Sequence, residues 1–433
     1  MTRPESPMRT FSPEHLTAAI DEIGGTPRPD YLDDIVTQAR HRRQRPAWTF
    51  LERWLPMTIT LRPAAVVPRA VVFMTLLAAL LAFLLVGYLL AGASPSVPAV
   101  PHVGNGLIAL ASNGDIDVVQ PDGSGRHTLI GGPQRQTSPA WSSDGTRLAY
   151  WSQDAAGAPW SVIVVDADGS APVTIATSTL DGTGVNAMNR LEWSPDGRMI
   201  AYSAATARPG QSNCVGFGTQ NGDFCSYRIF VAATDGSGSR QVGDPNLDAR
   251  SPAWSPDGST IAFGGGNAAQ EVDLYVMGSD GSNVRRLGAA KGTDWAFIRV
   301  DWSPDGSTIV GQAGSAADIN NWDIWVTKAD GSGQTDISND TSSDEEGPSY
   351  APDRPAIAWL RDTIAVQEPS SPPAGLSGPA GVPSWSPDGK LIATISEDAT
   401  PTFYVMDLSG AVKLSLPGPF DSPPFSFSWQ PTR

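Results

Sequence analysis

The stretch WSPDGSTIAFGGGNAAQEVDLYVMGSDGSNVRRL, residues 254–287, decides the fold of this chain. Its opening pentapeptide W-S-P-D-G recurs at Trp193–Gly197, Trp254–Gly258, Trp302–Gly306 and Trp385–Gly389. A near copy, W-S-S-D-G, begins at Trp141, and two degenerate copies begin at Tyr350 and Trp429. From Trp141 to Trp429 the copies follow one another at about 48 residues, a spacing within the range of β-propeller blades.

Each pentapeptide is predicted to form a tight turn between two antiparallel strands. Proline fixes φ at the first central position of a type I turn, aspartate tolerates the second, and glycine accepts the left-handed conformation. In the quoted copy, Ile261–Phe263 begins a second strand and Leu274–Val276 a third. A second turn, D-G-S at Asp280, leads to a short fourth strand. Each blade is therefore expected to contain four antiparallel strands.

The two ends of the repeat region complement each other. Gly106–Ile130 supplies strands two to four without a preceding Trp motif, whereas Phe425–Trp429 is a first strand with no second strand after it. Joined, they complete one blade, close the ring and remove exposed sheet edges. We therefore predict an all-β, seven-bladed β-propeller over residues 105–433, closed by pairing of its two ends. Around Ala356–Trp359 the second D-G turn is missing, so that blade is expected to have three strands.

The N-terminal part has a different composition. Residues 70–93 form an uncharged run, AVVFMTLLAALLAFLLVGYLLAGA, long enough to cross a hydrocarbon core of about 30 Å as one transmembrane helix. Residues 1–69 are predicted to contain short helices, the better one starting at Asp30. All seven basic residues between Arg40 and Arg69 are arginines, against a single acid. The positive-inside rule therefore places this tail in the cytoplasm and the C-terminal domain outside.

A cleaved signal peptide is the alternative interpretation, because Ala91–Ala93 resembles a cleavage site. The apolar run exceeds the about 7 to 15 residues of a signal core, which favours an uncleaved anchor. Residues 94–104 carry three prolines and are expected to form an extended spacer. Cys214 and Cys225 lie on the exported side, where a disulfide is expected and two buried free thiols are the alternative. Their spacing suits no common zinc site, and neither a metal nor a cofactor is predicted.

The repeats resemble those of the TolB-like, WD-repeat-like family of bacterial envelope β-propellers. The resemblance is carried by WSPDGSTIAF and DLYVMGSDGSNVRRL within residues 254–287, and it covers residues 105–433. It implies the propeller fold; propellers of this type bind proteins, peptides or glycans, or serve as accessory domains of peptidases. The N-terminal part is more loosely similar to anti-sigma-type single-span regulators, but it lacks any cysteine for the zinc motif that many of them carry.

The sequence offers few residues for catalysis. After residue 93 the histidines are His102, in the spacer, and His127, on an outer strand, and no G-x-S-x-G motif occurs. We therefore expect that the chain is not an enzyme, the remaining route being a carboxylate pair in the channel. The acidic cluster Asp336, Asp340, Asp344, Glu345 and Glu346 is the better cation candidate, although a solvated acidic loop is favoured there.

Aromatic residues fall into two groups. The repeat tryptophans are expected to pack between neighbouring blades. Those outside the repeat flank long loops, and the predicted ligand-binding residues are Trp160, Trp295, Asn320, Asn321 and Trp322. Hydrophobic plugs are the alternative role for these aromatics. Antiparallel connectivity places the tight turns at one end of the ring and the long, varied links at the other, so functional variation concentrates on one face.

Together these features predict a membrane-anchored, extracytoplasmic binding or scaffolding module of the cell envelope. The expected partners are the lipid bilayer through residues 70–93, an envelope protein, peptide or glycan, and a cytoplasmic partner of the tail. Nucleic acid is excluded because the exported domain is acidic. The alternative is a transmembrane, anti-sigma-like regulator whose propeller senses an external signal. Deleting residues 1–69 separates the two hypotheses, because loss of a transcriptional phenotype would support regulation and intact function with a replacement anchor would support tethering.

Overall fold

The computed structural model describes residues 104–155, 158–177, 190–206, 226–266, 272–288, 299–315, 318–338, 344–396, 400–420 and 427–432. All of them belong to one compact unit, Ser94–Arg433. The predicted tail, the predicted membrane span and nearly all of the spacer lie outside these residues. Within the described residues, no helix is long and apolar enough to cross a membrane.

The described residues form seven antiparallel sheets of four strands each, here called blades 1 to 7. Blade 1 contains β1 (Gly104–Ser112), β2 (Asp115–Val119) and β3 (His127–Ile130). Blade 2 contains β4 (Arg135–Trp141), β5 (Arg147–Gln153), β6 (Trp160–Asp166) and β7 (Val173–Thr177). Blade 3 contains β8 (Glu192–Trp193), β9 (Met199–Thr206), β10 (Ser226–Ala233) and β11 (Ser239–Val242). Blade 4 contains β12 (Asp248–Trp254), β13 (Thr260–Gly266), β14 (Val272–Gly278) and β15 (Arg285–Gly288).

The remaining strands complete the ring. Blade 5 contains β16 (Val300–Trp302), β17 (Thr308–Ser315), β18 (Asp318–Lys328) and β19 (Thr335–Asp336). Blade 6 contains β20 (Glu346–Tyr350), β21 (Ile357–Leu360), β22 (Ile364–Gln367) and β23 (Ala374–Gly375). Blade 7 contains β24 (Ser384–Trp385), β25 (Leu391–Ile395), β26 (Thr402–Asp407) and β27 (Val412–Pro417). The last strand, β28 (Phe427–Thr432), returns to blade 1.

Blade 1 is assembled from both ends of the domain. Its strand order is β28-β1-β2-β3, with Ile108 opposite Trp429 and Gly104 opposite Thr432. The predicted closure and the count of seven blades are therefore confirmed for the described residues. The expectation of three strands in blade 6 is wrong, because Ala374 and Gly375 pair with Val366 and Ala365 as a short fourth strand. A two-residue strand in a Pro/Ser/Gly-rich segment has no sequence pattern that would reveal it.

The W-S-P-D-G turns have the geometry that their amino-acid sequence predicts. The five turn glycines have φ between 67° and 71°, the left-handed region. Serine has a role that the sequence analysis did not assign. In the copy at Trp254, Ser255 Oγ donates to Asp257 Oδ1 at 2.6 Å and accepts from Thr260 N at 3.0 Å. The bond from Ser255, together with bonds from Ser259, lowers the pKa of Asp257 below its usual value. Through Ser255, the side chains of the turn connect both flanking strands.

The hydrophobic core lies between neighbouring blades. One cluster joins Ile116 and Val118 of blade 1 to Leu148 and Tyr150 of blade 2, all at most 5% exposed. The repeat tryptophans lie in these interfaces, as predicted. Most of their indole N–H groups also donate a hydrogen bond to the preceding blade. They donate to the carbonyl oxygen of the residue before the preceding repeat aromatic: Trp193 to Ala140, Trp254 to Glu192, Trp302 to Ala253 and Trp385 to Ser349, at 2.9 to 3.2 Å.

The indole bond between blades predicts a difference between two similar substitutions. Trp302 donates to Ala253 O at 3.1 Å, whereas Trp141, equally buried, has no acceptor for Nε1 among the described residues. Trp302→Phe should therefore lower the free energy of unfolding by about 1–3 kcal/mol more than Trp141→Phe, because it leaves a buried carbonyl without its donor. Chemical denaturation of both variants measures this difference, and equal losses would contradict a stabilising role for the bond.

Candidate functional site

The first strands of the blades surround the centre of the ring, where neighbouring first strands such as β4 and β8 contact one another. They enclose a space of about 310 Å³, called here the central cavity. Its wall comes mainly from the residues just before each repeat aromatic. These residues are Ser138, Pro139, Ala140, Arg190, Leu191, Glu192, Arg299, Gly347, Pro348, Ser349, Val382, Pro383, Ser384, Phe427 and Ser428. The repeat residues Trp141, Trp193, Trp385 and Trp429, together with Ser143, complete the lining.

The ionisable residues of the wall are Arg190, Glu192 and Arg299. Alternate residues of an extended strand point to the same face, so Arg190 and Glu192 both face the channel. Arg190 Nε forms an ion pair with Glu192 Oε1; the Glu192 side chain is 17% exposed and the Arg190 side chain 48%. The guanidinium of Arg299 occupies the space that a side chain at Gly347 would fill, since a Cβ added there would clash with Arg299 Nη1.

A second carboxylate, Asp301, lies beside this pair. Its Oδ1 accepts from Trp302 N and its Oδ2 from Tyr350 N, both at 2.9 Å, so it joins blades 5 and 6. It also interacts electrostatically with both Arg190 and Glu192. The centre of the ring therefore holds two guanidinium groups and two carboxyl groups close together.

Burial changes the protonation of both carboxyl groups. It raises the pKa of Glu192 to about 7; Arg190 offsets part of this rise and Asp301 adds to it. Burial also raises the pKa of Asp301, against the opposing effects of Arg190 and the two backbone N–H donors. Near neutral pH, Glu192 is therefore present in both protonation states. It can donate a hydrogen bond in one state and accept in the other.

Three further polar atoms of the wall have no hydrogen-bond partner among the described residues. They are Nε1 of Trp141, Nε1 of Trp429 and Oγ of Ser349, all buried. Both indoles belong to the junction where the ring closes, and the carbonyl bond made by the other repeat tryptophans is missing there. Buried donors without acceptors are costly in a folded protein. Because these three atoms are shielded from solvent, it is the charged cluster that makes the central cavity the best candidate for a binding site in the described residues.

Of the predicted ligand-binding residues, the structure describes the side chains of Trp160 and Trp322. Trp160 is 5% exposed and packs in the core between blades 2 and 3, with Arg135 over its ring at 5.9 Å, so it has the role of the hydrophobic plug. Trp322 lies in β18 of blade 5 and is partly buried. Its backbone N–H donates to Asp344 Oδ1 at 3.2 Å. Asn320 and Asn321 belong to the same strand, but their side chains lie outside the described residues, as does Trp295.

Two other predictions concern the same regions. Cys214 and Cys225 lie outside the described residues, so their disulfide stays a prediction. Beside the acidic cluster, burial together with Asp336 and Asp344 raises the pKa of Asp323, a residue of β18, to about 6. Among the described residues, no three His, Cys, Asp or Glu side chains are arranged to hold a metal ion.

The sequence contained a signal for the charged cluster that the repeat analysis did not use. Only two of the seven repeats read Arg-x-acid-Trp before the turn, RLEW at 190–193 and RVDW at 299–302. The other repeats have small, apolar or hydroxyl residues at the charged positions. Charges on a strand that should line the centre of a ring are unusual enough to mark a site. They can be recognised only after the repeats are aligned on their tryptophans.

These features define a β-propeller with a charged central cavity. No family model and no curated protein matches the sequence. Among solved structures, oligogalacturonate lyase from Vibrio parahaemolyticus matches with a TM-score of 0.52 and 14% identity, over 70% of this chain and 91% of that chain. TolB from Acinetobacter baumannii matches with a TM-score of 0.45 and 18% identity, over 75% of this chain and 66% of that chain, just under two thirds of its length. Acylaminoacyl peptidase from Pyrococcus horikoshii matches with a TM-score of 0.47 and 14% identity, over 69% of this chain and 47% of that chain.

The comparisons bear on two predictions. At these identities they concern the fold alone, and the propeller topology that the TolB-like resemblance implied is present. The prediction that the chain is not an enzyme is wrong, because a lyase has a similar fold. Scarce histidines and a missing G-x-S-x-G motif exclude particular mechanisms, but not catalysis by this fold. Glu192 lines the central cavity, and Asp301 lies near enough to interact with it electrostatically.

Proposed function

We propose that this chain is a membrane-anchored, extracytoplasmic propeller of the cell envelope that binds a protein, peptide or glycan ligand at its central cavity. The observation that carries the proposal is the cavity of about 310 Å³ with Arg190, Glu192 and Arg299 in its wall. Propellers hold such groups on short first strands fixed by blade packing, so the site is rigid before the ligand arrives. A preorganised polar site in a concave wall is the usual form of a specific binding site.

Binding is tested with a pair of arginine variants in the same blade. Arg190 lines the cavity, whereas Arg198 lies on the W-S-P-D-G turn with its side chain 84% exposed. Full-length protein, purified in mild detergent and immobilised, is incubated with envelope extract. A ligand that is retained by the wild type and by Arg198→Lys, but lost by Arg190→Lys, would support the cavity as the site. Ligands retained equally by all three proteins would place binding elsewhere.

The membrane anchor and the orientation are supported by the apolar run 70–93 and by the arginines before it. A reporter enzyme that requires export should be active when fused after Arg433 and inactive when fused at Arg45. A reporter that requires the cytoplasm should show the opposite pattern. The reverse result would overturn the charge argument, and a mature N-terminus at Ser94 would establish a cleaved signal peptide instead.

A further inference from the structure

We propose that the central cavity recognises a carboxylate group of its ligand, through the guanidinium groups of Arg190 and Arg299. This inference rests on the proposed function, because it names the chemistry of the ligand at the same site. Its support comes from the charged groups of the cavity wall and from the position of Glu192.

The charge of the wall differs in sign from that of the chain. The chain has a formal net charge of −16, yet the ionisable residues of the wall are two arginines and one glutamate. The pair with Glu192 uses Nε of Arg190, and nearly half of the Arg190 side chain remains exposed to the cavity. Guanidinium groups present planar, paired N–H donors that match the two oxygens of a carboxylate. Asp301 lies beside this wall and adds a second carboxyl group, but burial favours the protonated form of both Glu192 and Asp301, so the guanidinium charge is in excess and favours an anion.

Glu192 limits the charge of the anion. A ligand bound near Arg190 also lies near the Glu192 carboxyl group, which would repel a doubly charged phosphate more strongly than a singly charged carboxylate. Because burial raises the pKa of Glu192 to about 7, this repulsion weakens as the pH falls. The charged groups that face Glu192 are Arg190 on its own strand and Asp301 across the ring. Carboxylate binding should therefore tighten between pH 8 and pH 6.

Two kinds of envelope molecule carry such a group, acidic sugars and peptides with a free C-terminus. The experiment uses full-length protein in mild detergent and isothermal titration calorimetry with paired probes. D-glucuronate is compared with D-glucose, and Gly-Gly-Phe with its C-terminal amide. Binding of one acid and not of its neutral partner would support the proposal and identify the source. Binding of neither acid, or equal binding of an acid and its neutral partner, would overturn it.

Variants place the carboxylate in the cavity. Arg190→Lys and Arg299→Lys retain the positive charge but lose the paired donors, so each should weaken acid binding by about tenfold or more. The control Arg198→Lys should bind as the wild type does. Unfolding curves without ligand show which variants are folded. Unchanged affinity in the folded variants, or tighter binding of inorganic phosphate than of either acid, would overturn the assignment. If capture from envelope extract still depends on Arg190 while neither acid binds, the proposed binding site is supported and only the assignment of a carboxylate ligand is wrong.

Discussion

Removal of residues 427–432 is expected to unfold the propeller rather than to weaken it slightly. This deletion takes away β28, so that β1 loses its partner on the channel side and exposes an unpaired edge. It also removes Trp429, which packs against Ile108 and Phe403 between blades 7 and 1. The side chain of Gln430 is lost as well; it joins Leu107 N to Gly145 O with bonds of 3.0 and 2.8 Å.

Size-exclusion chromatography and thermal unfolding of the chain that lacks residues 427–432 measure this effect. We expect aggregation and no cooperative transition, because one side of the ring loses its blade packing. The matched control is Trp429→Phe, which keeps the strand and should cost only about 1–2 kcal/mol, since the Trp429 indole N–H has no acceptor to leave behind. If the truncated chain melts and migrates like the complete one, β28 is a dispensable tail. A six-bladed ring would then be the better description.

The second large effect is expected from Glu192→Gln, and its sign depends on pH. Folding raises the pKa of this carboxyl group from its ordinary value to about 7. A carboxyl group with a raised pKa in the folded state stabilises the protein fully below its unfolded pKa and loses that contribution as the pH rises through the folded pKa. The wild type should therefore lose up to about 3 kcal/mol of stability from this group between pH 4.5 and pH 8.

Glutamine keeps the shape of the side chain but cannot ionise, so Glu192→Gln should be more stable than the wild type at pH 8 and similar to it at pH 4.5. Chemical denaturation at both pH values gives the difference. Glu368→Gln is the control, because Glu368 is 47% exposed and pairs with Arg354 at the surface, where ion pairs contribute about 1 kcal/mol or less. Asp323, whose raised pKa does not involve Glu192, remains in both proteins and cancels in the comparison. A variant less stable than the wild type at pH 8 would show that the pair with Arg190 outweighs burial.

Much of the fold could be predicted because each blade is a local unit. The proline, aspartate and glycine of the W-S-P-D-G turn specify a hairpin within five residues, and Gly258 has the left-handed φ that the pattern requires. Closure could also be predicted, because a first strand at one end and three later strands at the other have complementary hydrogen-bonding edges. The short fourth strand of blade 6 could not, since a segment as rich in proline and glycine as Pro372–Leu376 becomes a strand only when β22 offers it an edge.

The sequence alone determined the repeat, its turns, the number of blades and the candidates for the membrane anchor. It also contained the two Arg-x-acid-Trp segments, although nothing local gives them a role. Only the tertiary structure decided that Arg190 and Glu192 meet Arg299 and Asp301, which follow more than a hundred residues later, at the centre of the ring. It also decided that Trp160 is part of the core while Trp141 and Trp429 carry free donors. The reason is physical: turns and strands depend on neighbours in the chain, whereas burial, pKa and unsatisfied hydrogen bonds depend on what the closed ring brings together in space.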